Sequence, residues 1–509
     1  MTSKTFSATT FGIEARLIEI EVDITPGLPG IVVVGLPDAA IRESRDRVRS
    51  AIKNSQYEYP SQKITVNLAP CDIKKEGPCF DLPIAIGILV ASGQIPFQKI
   101  KDFVFLGELA LNGKIRPIKG ALPIALSLEN TNKKLILPKQ NAHETSIIKG
   151  ISIYPANSLS DVCSFLKEGL QLPPLCFNTR DALKKTKPYE LDFSEVKGQI
   201  YAKRAMEIAA SGSHNIILIG PPGSGKTMLA KRFPTILPKM TVKEAIETTK
   251  IYSVSGLVPI KKPVIDSRPF RSPHHTASYA SLVGGGSIPR PGEISLSHNG
   301  VLFMDELPEF HRDVLESLRQ PMEDGHVTIS RATGTLHFPS KFILLSSMNP
   351  CPCGFLSDPK KECHCTPQKI QKYLSKISGP LLDRIDIHIE VPPVRYKELS
   401  DESLSERSEN IQQRVEAAKK IQLGRFKEDK IFANSQMPHK LIRKYCKLDN
   451  VSQDLLKTAI TEMGFSARCY DKILKVSRSI ADLEGKRNIE PSHVSEAIQL
   501  RSLDRNIWA

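Results

Sequence analysis

Eight consecutive residues, Gly220-Pro221-Pro222-Gly223-Ser224-Gly225-Lys226-Thr227, hold the plainest chemistry in this 509-residue chain. Their spacing is GxxxxGK[ST], with an apolar run at 215–219 before it and a helix-forming stretch from Met228 after it. A strand, a glycine-rich loop and a helix in that order let backbone N–H groups converge on phosphate oxygens. The helix N-terminus adds partial positive charge at the same point. Lys226 can reach β- and γ-phosphates and the Thr227 hydroxyl can hold Mg²⁺, so the loop reads as a nucleoside triphosphate site, with ATP and Mg²⁺ as its ligands.

Hydrolysis there needs carboxylates, and the segment Asn299-Gly300-Val301-Leu302-Phe303-Met304-Asp305-Glu306 supplies two. Four apolar residues ending in paired acids describe a buried parallel strand whose C-terminal end faces a ligand crevice. Asp305 is then the Mg²⁺ partner and Glu306 the group that polarises the attacking water. A further apolar strand at 341–348 ends at Asn349, a position that suits an uncharged sensor of the γ-phosphate. A turn-forming asparagine before Pro350 is the local alternative.

The elements that must position these groups occupy only the middle of the chain. Length allows about three domains, and 40% hydrophobic with 25% charged residues is the balance of a soluble globular protein. No signal-peptide layout opens the sequence, and its longest apolar stretch, 82–91, is too short for a membrane span and contains Pro83. Ten cysteines without a secretory signal point to reduced thiols or a metal site in the cytoplasm, with no membrane partner. The net charge is +15, and residues 173–395 contribute +8 of it, from 29 basic and 21 acidic side chains. That excess suits a polyanion partner, and a generally basic protein is the bland alternative.

Within the triphosphate-binding segment, 191–199 leads into an amphipathic helix at 201–212, which resembles the segment that precedes the phosphate loop in AAA+ ATPases. Two insertions interrupt the core. One runs from Arg268-Pro269-Phe270-Arg271 through Gly284-Gly285-Gly286 to Arg290-Pro291-Gly292-Glu293, and the other, at 327–338, alternates like a β-hairpin. With Ser378-Gly379-Pro380-Leu381-Leu382-Asp383-Arg384, these resemble the magnesium-chelatase-like branch of AAA+ proteins, and the ComM/YifB group within it, over nearly the whole chain.

That resemblance implies a homo-oligomeric ring, a hexamer, with both insertions pointing into its channel. Arg271, Arg290 and Arg331 become candidates to touch nucleic-acid phosphates, with solvated loops or subunit contacts as the alternative. It also implies an arginine finger at Arg384, reaching into a neighbouring subunit's site. Arg468 matches the lid arginine at the γ-phosphate, expected on the same side of the seam as Lys226, Thr227, Asp305, Glu306 and Asn349. Long amphipathic stretches at 408–421, 440–445, 453–463, 466–483 and 491–498 resemble the helical lid of the same proteins.

In the N-terminal third, 17–22, 30–34, 63–68, 103–106 and 135–137 read as strands, and 39–54, 82–92 and 122–128 as helices. The segments Glu76-Gly77-Pro78-Cys79-Phe80-Asp81 and 107–120 resemble the proteolytic domain of Lon. Cys79 falls at that family's serine position and Leu122 at its lysine position. Leucine cannot remove a hydroxyl proton, so a non-proteolytic domain for assembly or partner binding is expected.

Cys351-Pro352-Cys353 and Cys363-His364-Cys365 bracket a nine-residue loop. Four thiols in two close pairs can form a structural Zn²⁺ site, although both pairs are CxC rather than CxxC; reduced free thiols are the other reading. His364 is a substitute ligand.

The expected architecture is α/β: a Lon-protease-like α+β domain at 1–172, a linker at 173–190, an AAA+ parallel-sheet core at 191–395 and a helical lid at 396–509. The expected function is an ATP-driven ring motor on DNA, a branch-migration helicase by resemblance, with a chelatase-type remodeller of a protein partner or a Lon-like protease as rivals.

Overall fold

The computed structural model describes residues 2–71, 75, 77–169, 172–175, 190–259, 264–286, 289–331, 334–356, 358, 361–394, 405–429, 431–464 and 466–501. Of the expected linker at 173–190, residues 176–189 lie outside them, as do 396–404 at the start of the expected lid.

The N-terminal third builds a mixed seven-stranded sheet in the order β3-β4-β2-β1-β5-β8-β9. Its strands are β1 (Thr2–Phe11), β2 (Glu14–Thr25), β3 (Gly30–Val34), β4 (Lys63–Ala69), β5 (Phe103–Phe105), β8 (Lys134–Pro138) and β9 (Ile153–Ala156). A small hairpin, β6 (Glu108–Leu109) and β7 (Ile115–Arg116), lies between them in sequence. Helix α1 (Ala39–Asn54) starts at Asp38, whose carboxylate accepts from Ile41 N–H at 2.8 Å, and it buries Ile41, Val48 and Ile52. Helix α2 (Asp81–Ala91) is buried along its whole length, as an all-apolar helix in a protein interior must be.

β1 and β9 are absent from the sequence expectation. β1 is rich in serine and threonine and lacks the apolar alternation that marks a half-buried strand. Its inward hydroxyls are satisfied instead by backbone carbonyls: Ser3 donates to Gly87 at 2.7 Å, Thr5 to Pro83 at 3.2 Å and Ser7 to Phe105 at 3.0 Å.

The central segment forms an all-parallel sheet in the order β11-β14-β17-β10-β18. These are β10 (Ile216–Ile219), β11 (Phe270–Arg271), β14 (Val301–Met304), β17 (Ile343–Met348) and β18 (Ile387–Glu390). β10, β14 and β17 are buried at every position, the pattern of strands covered on both faces. Two hairpins project from this core: β12 (Gly284–Gly285) with β13 (Arg290–Pro291), and β15 (His326–Arg331) with β16 (Gly334–Pro339).

Five C-terminal helices, from Ser408–Arg425 to Pro491–Gln499, share one continuous hydrophobic cluster with the central sheet. Polar bonds pin the same surface. Ser408 Oγ accepts from Phe193 N–H at 2.8 Å, Arg204 Nε donates to Glu496 at 2.9 Å, and Arg414 pairs with Glu207 at 2.5 Å. Helix α3 (Ala121–Ser127) packs on the helix Val242–Ser255, joining the N-terminal sheet to the core, and Gly120 N–H donates to Ser253 O at 3.0 Å there.

Candidate functional site

Parallel strands send their C-terminal ends to one edge, so the phosphate loop after β10, the carboxylates after β14 and Asn349 after β17 meet there. β17 lies between β10 and β14, which sets Asn349 between the loop and the acids. Gly223 and Gly225 take φ of +78° and +91°, a left-handed turn that a side chain resists. A Cβ at Gly220 would collide with the Val391 carbonyl, so β18 forces a glycine there as well.

Lys226 opens the helix Lys226–Ile236 and folds back over the loop. Its Nζ donates to Gly220 O at 2.7 Å, Pro221 O at 2.9 Å and Asn349 Oδ1 at 3.2 Å. Burial lowers its pKa to about 8, against the opposing pull of Asp305 and Glu306. The Thr227 hydroxyl donates to Asp305 Oδ2 at 2.9 Å, and the Ser347 hydroxyl holds the other Asp305 oxygen. The Thr227–Asp305 pair presents two hard oxygen ligands side by side, the donor set that Mg²⁺ takes next to phosphates. Glu306 has φ of +54° and is exposed, with His275 Nδ1 3.8 Å from its carboxylate.

His275, which the sequence offers as a structural or phosphate-facing histidine, meets Glu306 across 31 positions. Two residues of this arrangement escaped the sequence reading: Ser347 looked like one more strand residue, and Gln199 was unremarked. Gln199 sits at φ +57° and its amide donates to Ser224 O at 3.2 Å and Pro392 O at 2.6 Å, tying the phosphate loop to the chain beyond β18. Only its place just before a helix gave any signal.

The opposite edge of the sheet holds the arginines. Arg384 O accepts from Asn215 Nδ2 at 3.1 Å, at the start of β10, and its guanidinium pairs with Glu323. Arg384 Nε is buried with no partner among the described residues. Arg468 lies with Arg384 on the wall of one cleft of about 690 Å³, alongside Asn215, Gly300 and Ile343. This corrects the expectation that Arg468 shares a side with Lys226. Its helix, Ala467–Leu483, is fixed to the wrong end of the sheet for that: Lys472, one turn on, bonds Ile385 O at 3.1 Å and Asp386 at 3.0 Å. Burial would raise the Asp386 carboxyl, yet Lys472 and His214 hold it far below the usual carboxylate range.

Asp386, His214 and Ser479 align like a hydrolase triad, with His214 Nδ1 3.3 Å from the carboxylate and Nε2 2.7 Å from the hydroxyl. His214 and Ser479 are 0% exposed, so no substrate reaches them, and the row serves as a buried clamp between core and lid.

The channel arginines separate into two kinds. Arg271 belongs to the sheet edge, where Glu293 clasps its guanidinium with two bonds of 2.6 Å. The Nε–Nη2 edge of its fork is already engaged, which sets it apart from the other two phosphate-contacting candidates. Arg290 and Arg331 are exposed and close together: Arg290 pairs across β12–β13 with Gly285, and a Cβ at Gly285 would lie 3.4 Å from Arg331 Nη2. The β1–β2 turn of the N-terminal sheet reaches the second hairpin, with Phe11 against Gly334 and Gly12 against Leu336.

Three family models cover the chain. Magnesium chelatase, subunit ChlI, matches residues 192–399; subunit ChlI of Mg-chelatase matches 20–141; the ChlI C-terminal model matches 405–501. Competence protein ComM of Haemophilus influenzae is 45% identical over 98% of this chain and 97% of its own length. The chain belongs to the ComM/YifB family of magnesium-chelatase-like AAA+ ATPases. YifB of Escherichia coli is 43% identical over 97% of this chain and 96% of its own length. The N-terminal likeness is to Lon: the archaeal Lon protease of Thermococcus kodakarensis is 28% identical over 160 residues, 30% of this chain and a quarter of that protein. The α/β fold, with its parallel sheet and helical C-terminal region, accords with this family.

Burial raises the Cys79 thiol to about 12, and Leu122 is fully buried at the position where a lysine base would stand. The Lys119 stem lies against Gly256 of the ATPase core. Asp81, wholly buried, is raised to about 6 by burial even though Arg47 grips it at 2.8 Å.

All four cysteine sulfurs at 351, 353, 363 and 365 lie within 4.8 Å of one another. His364 is exposed and outside this group. Among the described residues no helix is long and apolar enough to cross a membrane.

Proposed function

We propose that this chain hydrolyses ATP at seams between identical subunits of a ring and uses the cycle to drive movement on DNA. The carrying observation is the split of the machinery: Lys226, Thr227, Asp305, Glu306 and Asn349 at one edge of the sheet, Arg384 and Arg468 at the other. One subunit then supplies the phosphate loop, Gly220 to Thr227, and the next supplies both arginines. Thr227 and Asp305 hold Mg²⁺, which neutralises phosphate charge. Glu306 orients the attacking water, Asn349 fixes its line of approach, and Arg384 leaves Glu323 to meet charge developing on the phosphate.

Arg290 and Arg331 supply a paired basic tip for nucleic-acid phosphates, and the excess positive charge of the central segment supports the same partner. A relative named for competence suits this reading, in which the movement is branch migration during integration of donor DNA. The domain divisions at 172, 190 and 395 belong to this reading, with the Lon-like region as an assembly module and a cytoplasmic, homohexameric enzyme as the whole.

The deciding experiment measures ATP turnover with no DNA, with linear duplex and with a branched junction, using native protein and Glu306→Gln. Branched DNA should stimulate native turnover, while the variant should bind nucleotide and fail to turn it over. Equal rates in all three conditions would remove DNA and favour a remodeller of a protein partner.

A further inference from the structure

Three of the four clustered thiols have nearly the separations of a tetrahedral zinc site, and the fourth, Cys365, lies within 4.8 Å of each. Zinc–thiolate bonds of about 2.3 Å place sulfurs about 3.8 Å apart at tetrahedral angles. Here Cys351 lies 3.3 Å from Cys353 and 3.7 Å from Cys363, and Cys353 lies 3.6 Å from Cys363. These separations are far beyond the roughly 2.05 Å of a disulfide. Cys351 is wholly buried, and the other three are half-buried.

The loop that carries the thiols has little else to fold it. Between Met348 and Pro367 its described residues form no helix or strand, and Leu356 is exposed. One cross-linking ion would give such a loop a fixed shape that its apolar content cannot.

Its position matters more than its shape. Cys351 comes two residues after Asn349, whose side chain meets Lys226. Gly354, at φ +85°, donates its N–H to Cys351 O at 3.0 Å, and a Cβ there would lie 2.5 Å from Pro222 Cδ. The start of the cysteine loop, just after Cys353, therefore rests on the phosphate loop.

We propose that Cys351, Cys353, Cys363 and Cys365 bind one Zn²⁺, and that this ion braces Asn349 and Pro222 so that ATP turnover depends on it. The metal site stands on the thiol geometry alone; the dependence of turnover on it rests on the ATPase reading above. No position on the ion stays open, so it does no chemistry of its own.

The test uses full-length protein grown with added zinc. Elemental analysis should give about one zinc per chain, and X-ray absorption should give four sulfur neighbours at about 2.3 Å. Cys363→Ser with Cys365→Ser should lose the metal. Because that variant can also misfold, native protein is stripped with a mercurial, regenerated with dithiothreitol and reloaded with Zn²⁺. Stripping should lower turnover by about tenfold or more and leave fluorescent ADP affinity within about twofold, with turnover returning on reloading.

Less than about 0.1 zinc per chain, with alkylation of the four thiols unaffected by added Zn²⁺, would overturn the site. Iron in place of zinc would overturn the assignment of the ion. Stripped protein turning over at the native rate would overturn the brace. Zinc-loaded protein as inactive as Glu306→Gln would instead refute the ATPase reading, and the brace with it, leaving the metal site intact.

Discussion

Two inactive variants of this chain should restore each other when mixed. Arg384 is bonded to Asn215 at the start of β10, and the phosphate loop begins at Gly220. Five residues of strand at about 3.3 Å each separate these points by about 16 Å, farther than an arginine side chain reaches. Arg468 lines the same cleft as Arg384 and is one helical turn from Lys472, which is itself bonded to Ile385. Neither arginine can therefore serve its own subunit's phosphates while the lid stays clamped to its core. Glu306→Gln spoils the loop side of a seam and keeps its arginines; Arg468→Ala does the reverse. Alone, each should lose about 10²-fold or more in turnover. In an equal mixture that assembles at random, about one seam in four pairs an intact loop side with an intact arginine side, giving about a quarter of native turnover. The assay is steady-state phosphate release after subunit exchange, with exchange followed by energy transfer between labelled subunits. Mixed rings that turn over no faster than the two variants apart would mean that Arg468 acts within its own subunit, and would refute the geometric argument.

Three further outcomes concern the phosphate loop and the arginines of the insertions. Bound phosphate should raise the Lys226 pKa from about 8, so binding takes up a proton above that pH. Affinity for a non-hydrolysable ATP analogue should then be full below about pH 8 and fall as pH rises, by up to about tenfold per unit; Lys226→Arg, always charged, should bind with a flat profile, and a flat native profile would contradict the buried-lysine account. For DNA, Arg331→Ala and Arg290→Ala should each reduce the slope of log affinity against log salt by about 0.9 on duplex, measured by fluorescence anisotropy. Arg271→Met should lower thermal stability and leave that slope unchanged, because its partner is Glu293; a slope change there would return Arg271 to the channel.

What the sequence determined by itself is the chemistry that local spacing encodes. The phosphate loop needs glycines at positive φ beside a lysine and a threonine, and eight adjacent residues record all of that. The buried strands β10, β14 and β17 are legible because both-face burial demands nearly continuous apolar runs, interrupted in β17 by Ser346 and Ser347, and each run ends on the residue that works: Gly220, Asp305, Asn349. β1 was not legible, because its buried hydroxyls are balanced by carbonyls about 80 to 100 positions away. Tertiary structure alone decided which edge of the sheet each arginine occupies. Arg384 and Arg468 carry no mark of direction; Asn215, Ile385 and Asp386 give them one, through contacts 86 to 169 positions apart. The same holds for Arg271, which looks like any loop arginine until Glu293 folds against it. Spacing fixes what a residue can do, whereas long-range packing fixes which phosphate, metal or carboxylate it meets.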